Sequence, residues 1–270
     1  MIASRPVGRP RRDNVAVSTL PRLTFFGHST VLLEVGGIRI LTDPVLHDRV
    51  SLIRRVAGPL DPALYAGIDV ALISHLHLDH FDVRSLRLLG PDVGLIVPRG
   101  AADLVRALGF RCLAELGAGD RLALGTSTLT ATPAVHGGFR PPLGPRAAAV
   151  GYLIEDGPTR IYFAGDTGLF PGMADLSPGL DVALLPVWGW GPTLGEGHLD
   201  PAGAAAAVRL LKPRFAVPIH WGTLWPYGLG RVRPERLSDP PREFSSRVAG
   251  APATTAVLVT PPGETVTFVP

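Results

Sequence analysis

The 270-residue sequence has one cysteine, Cys112, so it can form no disulfide bond within the chain and no metal site built on several thiolates. It also lacks an uninterrupted run of about 18 apolar residues, the length that a membrane-spanning helix needs. No apolar segment follows the arginines near its start, so the pattern of a signal peptide is missing. The single cysteine fits a reducing compartment, and we expect a cytoplasmic protein without a transmembrane segment.

The chain also lacks a large excess of charge of either sign. The chain has 26 basic and 23 acidic residues, a formal net charge of +3 and a sequence pI near 9.5. Part of the basic excess is local, because four arginines lie in the first dozen residues: Arg5, Arg9, Arg11 and Arg12. This stretch is similar to a DNA minor-groove arm, but a single copy at a chain end is more typical of a solvated tail. We therefore predict a flexible basic leader over residues 1–20, a single domain over residues 21–270 and no nucleic-acid partner.

The rest of the chain has the composition of a protein with a sizeable core. Hydrophobic residues make up 46% of the sequence and charged residues 18%, which argues against wholesale disorder. Apolar strands alternate with helical segments, a pattern typical of α/β layers. Four of the predicted strands end in a residue that can bind a metal: His75, His136, Asp166 and His220. Strand ends of an α/β sandwich can converge along one edge, and two blocks of similar composition, residues 21–146 and 147–270, predict two stacked half-domains that share it.

Some connecting segments carry weaker signals. Residues 45–60 show no clear periodicity and favour a surface loop over the site, with His47 as a solvated histidine. Residues 138–146 favour a flexible loop at the border of a substrate pocket. Residues 256–268 favour a closing hairpin. Cys112 falls in a predicted strand and is expected to be inert core.

The densest group of polar side chains lies directly after a predicted buried strand, where three histidines and an aspartate fall within six residues. His75 and His77 are two residues apart in extended chain, so their side chains leave on the same face. Asp79 and His80 follow where the chain should turn into a helix, and they point elsewhere. Imidazole and carboxylate groups at this density suit zinc or a similar divalent ion better than a polar loop with scattered histidines.

Together with the other strand-end residues, this segment predicts two metal sites. The first comprises His75, His77 and His136, and the second comprises Asp79, His80 and His220. Asp166 can bridge the two ions, because one carboxylate offers two oxygens. Each ion keeps a position open, and a water held by two cations loses a proton near neutral pH and becomes a nucleophile. The sequence has no G-x-S-x-G motif or Gly-rich phosphate loop that would favour another chemistry.

We assign catalytic roles to His198 and Asp79. His198 precedes a predicted helix and could donate a hydrogen bond to a developing oxyanion or protonate the leaving group, the alternative being a structural histidine that packs its loop. His28 is interpreted as structural rather than catalytic. Asp43, at a strand end before a proline, is either a turn former or a residue that orients the metal loop. The four tryptophans lie near the predicted site loops and either bind an apolar part of the substrate or cover the core.

These motifs resemble those of the metallo-β-lactamase fold superfamily. Within it they look like the branch that contains N-acyl-phosphatidylethanolamine-hydrolysing phospholipase D and the L-ascorbate-6-phosphate lactonases, with the phospholipase-like group the better match. The matching segments are Gly27–Val31, Leu41–Pro44, Ser74–Asp82, Phe163–Gly168, His198–Pro201 and Ile219–Thr223. The resemblance implies an α/β fold in the form of a four-layer αββα sandwich, two mixed β-sheets flanked by helices. It also implies a zinc pair and a place for His198 in the active site.

The sequence therefore predicts a hydrolase that depends on two divalent ions, zinc or alternatively manganese or iron, since His/Asp sites accept all three. The first hypothesis is hydrolysis of a phosphodiester bond in a small-molecule or lipid-like substrate. The alternative is a lactonase or another carboxylic-ester or amide hydrolase. A third hypothesis, a metal-binding sensor or scaffold without turnover, would be indicated by a missing ligand, and none is missing. The sequence is compatible with peripheral membrane contact and with a homo-oligomer.

Overall fold

A computed structural model describes residues 20–110, 113–140, 142, 144–250 and 254–269. Cys112 and the predicted basic leader, except its last residue, lie outside these ranges. The described residues form 17 strands and four α-helices. None of the helices in these ranges combines the length and the apolarity that crossing a bilayer requires.

The first sheet contains seven strands. They are β1 (Arg22–Gly27), β2 (Thr30–Val35), β3 (Ile38–Thr42), β6 (Val70–Leu72), β7 (Gly94–Pro98), β8 (Leu113–Leu116) and β17 (Thr265–Thr267). They lie side by side in the order β17-β1-β2-β3-β6-β7-β8. The pairs from β17 to β3 are antiparallel and those from β3 to β8 are parallel. Gly36 and Gly37 join β2 to β3 with φ angles of 59° and 74°, as a tight hairpin turn requires.

The second sheet also contains seven strands. They are β9 (Arg121–Leu124), β10 (Ser127–Pro133), β11 (Val150–Asp156), β12 (Thr159–Phe163), β13 (Val182–Pro186), β14 (Phe215–Ile219) and β16 (Ala256–Val257). Their order is β16-β14-β13-β12-β11-β10-β9. The pairs from β9 to β12 are antiparallel and those from β12 to β16 are parallel. Each sheet is therefore mixed, with one antiparallel half and one parallel half.

Helices cover the outer face of each sheet. They are α1 (Val83–Leu89), α2 (Ala102–Arg106), α3 (Pro201–Leu211) and α4 (Asp239–Ala249). The largest hydrophobic cluster fills the space between the sheets and extends to α3 and α4, joining side chains such as Leu33, Tyr152 and Phe244. A second cluster packs α1 and α2 against the other face of the first sheet, through Leu41 and Leu86 among others. The predicted αββα sandwich is confirmed.

Two helices begin where the sequence predicts. The Asp82 carboxylate accepts a hydrogen bond from the Ser85 amide at 3.1 Å and caps α1, which ends before Gly90. The Asp200 carboxylate accepts from the Gly203 amide at 2.7 Å and caps α3, whose first residue is a proline. Both caps lie close to predicted site residues, so they fix where the loops at the sheet edge end.

The predicted division into half-domains is wrong in its boundary. The strands β9 and β10 precede residue 147 but belong to the second sheet, and β17, near the end of the chain, belongs to the first. The predicted closing hairpin over residues 256–268 is wrong for the same reason. Its two strands are β16, which pairs in parallel with β14, and β17, which pairs antiparallel with β1. Both are too short to show whether their partner lies nearby or far away in the sequence.

The predicted surface loop over residues 45–60 is also wrong. It contains β4 (Arg49–Val50) and β5 (Ile53–Arg55), which form a hairpin, and β5 pairs with β15 (Leu224–Pro226) in a third, small sheet. Val50 and Ile53 are buried in a small cluster with Val45 and Leu224. Strands of two or three residues are too short to display an alternation of apolar and polar residues, and the third strand lies far away in sequence.

Candidate metal centre

Seven strand ends and the loops that follow them meet at one edge of the sandwich. Each of these strands is followed by a residue or segment of the site: β1 by His28, β3 by Asp43, β6 by His75–His80, β10 by His136, β12 by Asp166, β13 by Trp188 and β14 by His220. Contacts among these residues are short, as the following distances describe. The sequence pattern of apolar strands that end in metal-ligand residues thus corresponds to a real convergence in space.

The three residues of the first predicted metal site lie close together in the structure. His75 Nε2 and His136 Nε2 lie 3.0 Å and 3.1 Å from His77 Nδ1. His75 is fully buried, while His77 and His136 are partly exposed. The three residues offer ligand nitrogens that all lie within 4.8 Å of one another, an arrangement that can hold one cation.

The second predicted group also lies together. His80 Nε2 and His220 Nε2 are 3.1 Å apart, and the Asp79 Oδ2 atom lies 3.7 Å and 3.9 Å from them. His28, which sequence reasoning interpreted as structural, joins this group, because its Nε2 atom lies 2.9 Å from Asp79 Oδ2. All four side chains are buried.

Asp166 lies between the two groups. Its Oδ2 atom is 3.2 Å from His80 Nε2, 3.3 Å from His198 Nε2 and 3.9 Å from His75 Nε2. Its Oδ1 atom is 3.3 Å from His220 Nε2 and is buried without a hydrogen-bond partner among the described residues. One carboxylate therefore faces both groups, the position that a bridging ligand needs.

The outer ring nitrogens are held by other partners. His136 Nδ1 donates to the Gly197 carbonyl at 2.9 Å, and His220 Nδ1 donates to the Trp188 carbonyl at 2.8 Å. These bonds place the hydrogen on Nδ1 and leave the Nε2 lone pair facing the centre. Partners of this kind fix the tautomer and the orientation of metal-binding histidines.

Asp43 performs the same task for the metal loop. Its Oδ2 atom lies 2.7 Å from His80 Nδ1 and accepts a hydrogen bond from Ser74 Oγ at 2.6 Å, while Oδ1 accepts from the Ser74 amide at 2.7 Å. The side chain is fully buried and its φ angle is 33°, in the left-handed region. Of the two interpretations of Asp43, the structure supports the orienting one.

Burial and the carboxylates divide the histidines into two electrostatic classes. Burial lowers the pKa of His75 and His220 well below its usual value, and lowers that of His77 to about 4. The pKa of His80 is raised well above the usual value, because the carboxylates of Asp166, Asp79 and Asp43 together outweigh burial. The same centre holds the pKa of Asp79 and Asp166 low, with burial acting against the charges of His80 and its neighbours.

This arrangement fits divalent cations. His136 and His220 donate their Nδ1 hydrogens to carbonyl groups, so each presents an Nε2 lone pair to another imidazole nitrogen about 3 Å away. Acceptor groups that face one another repel unless a cation lies between them. A His/Asp ligand set without sulfur suits zinc, manganese or iron.

A cavity of about 430 Å³ opens onto the centre. Ligand-type residues form its floor: His77, Asp79, Asp166 and His220. Its walls are mainly apolar and come from Leu78 and from the loop over residues 189–195, with His198 at the side. No lysine or arginine is among the described residues that line it. The volume lies in the range of small-molecule sites, roughly 300–1,000 Å³.

The tryptophans divide between the two alternatives. Trp190 is exposed at 44% and lines the cavity, whereas the other three tryptophans are buried. No described residue of the loop over residues 138–146 lines the cavity. Instead Arg140 Nη1 donates to the carbonyls of Leu76 and Phe81, at 2.9 Å and 3.1 Å, and its guanidinium group lies over the Phe81 ring. It thereby braces the metal loop.

His28, interpreted from the sequence as structural, lies within the centre. It has a left-handed φ angle of 55°, and its ring lies against that of His220, tilted by 37° with 3.9 Å between centroids. Its Nε2 contact to Asp79 makes it part of the centre. The available signal was the segment Gly27–Val31, where a histidine follows a strand that ends in glycine.

Gly165 provides a test of how tightly the strand ends are packed. Its φ angle is 59°, and a Cβ atom there would lie 2.5 Å from Ser74 Cβ, next to His75. We expect Gly165→Ala to lower the free energy of unfolding by about 2–4 kcal/mol, the sum of backbone strain and overpacking. It should also weaken metal binding, because Ser74 and Asp166 are pushed apart. Thermal unfolding and metal titration measure the two effects.

Gly37→Ala is the matched control for this prediction. Gly37 has a φ angle of 74°, and a Cβ atom there would meet no atom within 4 Å. The control therefore carries the backbone strain alone, about 1–2 kcal/mol, and should leave metal affinity unchanged. Equal losses in the two variants would refute the close packing of Gly165 against the metal loop.

Comparisons with known proteins cover most of the chain. The family model described as "Beta-lactamase superfamily domain" matches residues 38–221, a range that contains all seven predicted metal ligands. A UPF0173 metal-dependent hydrolase of Aeropyrum pernix is 32% identical, over 92% of this chain and 98% of that protein. The N-acyl-phosphatidylethanolamine-hydrolyzing phospholipase D 1 of Caenorhabditis elegans is 30% identical, over 76% of this chain and 64% of that protein. Igni18, a metallo hydrolase from Ignicoccus hospitalis whose structure is solved, is 27% identical with a TM-score of 0.73, over 93% of this chain and 99% of that chain.

Proposed function

The chain belongs to the beta-lactamase superfamily of metal-dependent hydrolases, and we propose that it hydrolyses phosphodiester bonds with two divalent cations bound at the centre. The observation that carries the proposal is Asp166, a buried carboxylate that faces two separate groups of ligand-type side chains. The first group, His75, His77 and His136, and the second, Asp79, His80 and His220, would each hold one ion. When bound, such a pair supplies Lewis-acid activation of a water and stabilises the attacking and leaving oxygens of the reaction.

The residues of the chain orient the reactants around that centre. Asp79 lies on the cavity floor and is held by His28, so its carboxylate can orient a water as well as bind a cation. The apolar walls exclude bulk water, which strengthens every charge interaction inside the cavity. These features support catalytic roles for Asp79 and, at the side wall, for His198.

His198 is positioned to protonate the leaving group. Its Nδ1 atom donates to the carbonyls of Gly195 and Glu196, both at 3.1 Å, and its Nε2 atom faces the cavity floor. Burial lowers its pKa, but the hydrogen bond and the charge of Asp166, together with the hydrogen bonds to the Gly195 and Glu196 carbonyls, outweigh burial and raise the pKa above the usual value. A protonated imidazole at the cavity wall can give a proton to the departing oxygen.

We expect His198→Gln to lower kcat by about 10²–10⁴-fold on a diester with an alkoxide leaving group, because glutamine donates no proton to the departing oxygen. The loss should be much smaller on bis(p-nitrophenyl) phosphate, whose leaving group departs without protonation. Metal content should stay unchanged. An equal loss on both substrates would contradict the role of a general acid and favour oxyanion stabilisation instead.

The chemistry of the cavity supports a phosphodiester over a phosphomonoester. A diester carries one negative charge, which the cation pair can balance, whereas the second charge of a monoester would meet no lysine or arginine in the described lining. The relative from Caenorhabditis elegans, named as a phospholipase D, supports the same choice. The substrate class would then include small or lipid-like diesters.

A second candidate is hydrolysis of a lactone or another carboxylic ester or amide. The observation in its favour is the apolar wall of Leu78, Trp190 and Leu194, which suits a neutral substrate as well as a singly charged one. The same activated water would attack a carbonyl carbon instead of phosphorus. The two candidates differ in substrate, not in the residues that act.

The test compares bis(p-nitrophenyl) phosphate with a neutral lactone, using metal-loaded protein and the His77→Ala variant as control. The proposal predicts turnover of the diester that depends on His77. Turnover of the lactone alone would favour the second candidate. Absence of turnover on both, in protein that holds two ions per chain, would favour a metal-binding sensor or scaffold.

A further inference from the structure

The hairpin β4–β5 and the segment after β15 expose several large apolar side chains. We call residues 49–54 and 226–233 the hairpin surface. Leu52, at the hairpin tip, is 73% exposed and Tyr227 is 63% exposed, with Val232 and Leu229 also exposed. Tyr227 N donates to the Leu52 carbonyl at 2.9 Å, so the two segments lie side by side. Exposed apolar side chains that lie together, unlike scattered single ones, mark an interaction site.

The same two segments carry four arginines. Arg49 and Arg54 flank Tyr227, each with its guanidinium carbon 5.5 Å from the ring centroid. Arg231 and Arg233 lie on either side of Val232 and are exposed. No salt bridge joins any of these four guanidinium groups to another described residue, so their positive charge is available to a partner.

The hairpin surface adjoins the mouth of the cavity. Leu78 lines the cavity and also packs against the buried cluster of the small sheet, which contains Val50, Ile53 and Leu224. On the other wall, a Cβ atom at Gly191 would lie 3.4 Å from Pro226, the first residue of the 226–233 segment. The exposed Trp190 precedes Gly191. A partner bound to the hairpin surface would therefore lie next to the entrance of the site.

We propose that the hairpin surface docks this protein on an anionic phospholipid membrane, with Leu52 and Tyr227 entering the interface and the arginines contacting lipid phosphates. A bilayer surface offers both an apolar layer and negative charge within a few ångströms, which matches this combination of side chains. A nucleic acid would contact the arginines and Tyr227 but would leave Leu52 and Val232 without a partner. The cavity entrance would then face the lipid headgroups.

The test is cosedimentation of the metal-loaded full chain with vesicles. One set contains phosphatidylcholine with about a quarter phosphatidylglycerol, and the other contains phosphatidylcholine alone. Two double variants are compared with the unchanged protein, Leu52→Ser with Tyr227→Ser, and Arg49→Gln with Arg54→Gln. We expect tighter binding to the anionic vesicles, reduced about tenfold or more by the first pair and about fivefold per arginine by the second.

Matched controls carry the same changes elsewhere on the surface. Leu88 and Leu210 are exposed on α1 and α3, and Arg87 and Arg209 are exposed beside them. Their serine and glutamine variants should bind vesicles like the unchanged protein. All variants keep the arginines of residues 1–12, so a loss of binding is attributable to the hairpin surface. Turnover of a soluble substrate separates this proposal from the proposed function, since the hairpin surface contains no predicted metal ligand.

Each other outcome would overturn the proposal. Equal binding to both kinds of vesicle would show that the arginines do not bind anionic lipid. Unchanged binding in the hairpin variants, or an equal loss in the helix controls, would show that another surface or general charge is responsible. Absence of vesicle binding together with binding of an oligonucleotide through Arg49 and Arg54 would identify a nucleic-acid surface instead.

Discussion

Replacing Asp166 by asparagine is expected to lower kcat by about 10³-fold or more, the consequence of losing several kcal/mol of charge stabilisation at the centre. Asparagine has nearly the same shape but no charge, and its amide group would face the imidazole nitrogens with hydrogens instead of lone pairs. Since Asp166 faces both groups of ligands, the variant should lose one of the two ions and bind the other more weakly. Turnover and metal content of the purified variant measure both effects.

Asp181→Asn is the control for this prediction. Asp181 is also a buried carboxylate, but it accepts a hydrogen bond from the Arg160 amide at 2.8 Å and has no contact with the metal centre. Its replacement should lower stability while specific activity and metal content stay unchanged. If Asp166→Asn retained both ions and full turnover, Asp166 would not bridge the two sites.

Asp43→Asn should weaken metal binding by about 10–100-fold, the usual effect of losing a partner that orients a ligand. In the variant an amide NH₂ group would replace one of the oxygens that receive His80 Nδ1 and Ser74 Oγ, so His80 loses its orientation. Asparagine tolerates the left-handed backbone at this position, so the change adds no strain there. A competition titration with a chelator measures the affinity.

The two replacements should respond differently to added metal. Asp43 touches no substrate and acts through His80, so a large excess of metal should restore most of the kcat of Asp43→Asn. The same excess should not restore Asp166→Asn. Asp69→Asn is the control, because the Asp69 carboxylate also accepts a backbone hydrogen bond, from Arg39, but far from the ligands. Failure of metal to rescue Asp43→Asn would indicate a direct catalytic role for this carboxylate.

Much of this centre can be predicted from the sequence because its ligands follow apolar strands. A strand such as Phe215–Ile219 is recognisable by its composition, and a histidine directly after it has to lie at the sheet edge. The residues after Val70–Leu72, β10, β12 and β14 converge for this reason. The layered fold follows from the same alternation of strands and helices.

Other features depend on contacts that no local pattern records. The role of His28 arises from Asp79 and His220, which lie 51 and 192 positions further along the chain. The orienting role of Asp43 depends on Ser74 and His80 in the same way. The small sheet joins strands of two and three residues to one more than 160 positions away, and such strands are too short for periodicity to appear.

Metal content is the most direct test of the proposed centre. The protein is loaded with zinc, desalted and measured by mass spectrometry of the metal, alongside His136→Ala and His220→Ala. The proposal predicts two ions per chain in the unchanged protein and one in each variant, because each histidine belongs to a different group. One ion per chain in all three proteins, or none that survives desalting, would contradict a centre of two cations bridged by Asp166.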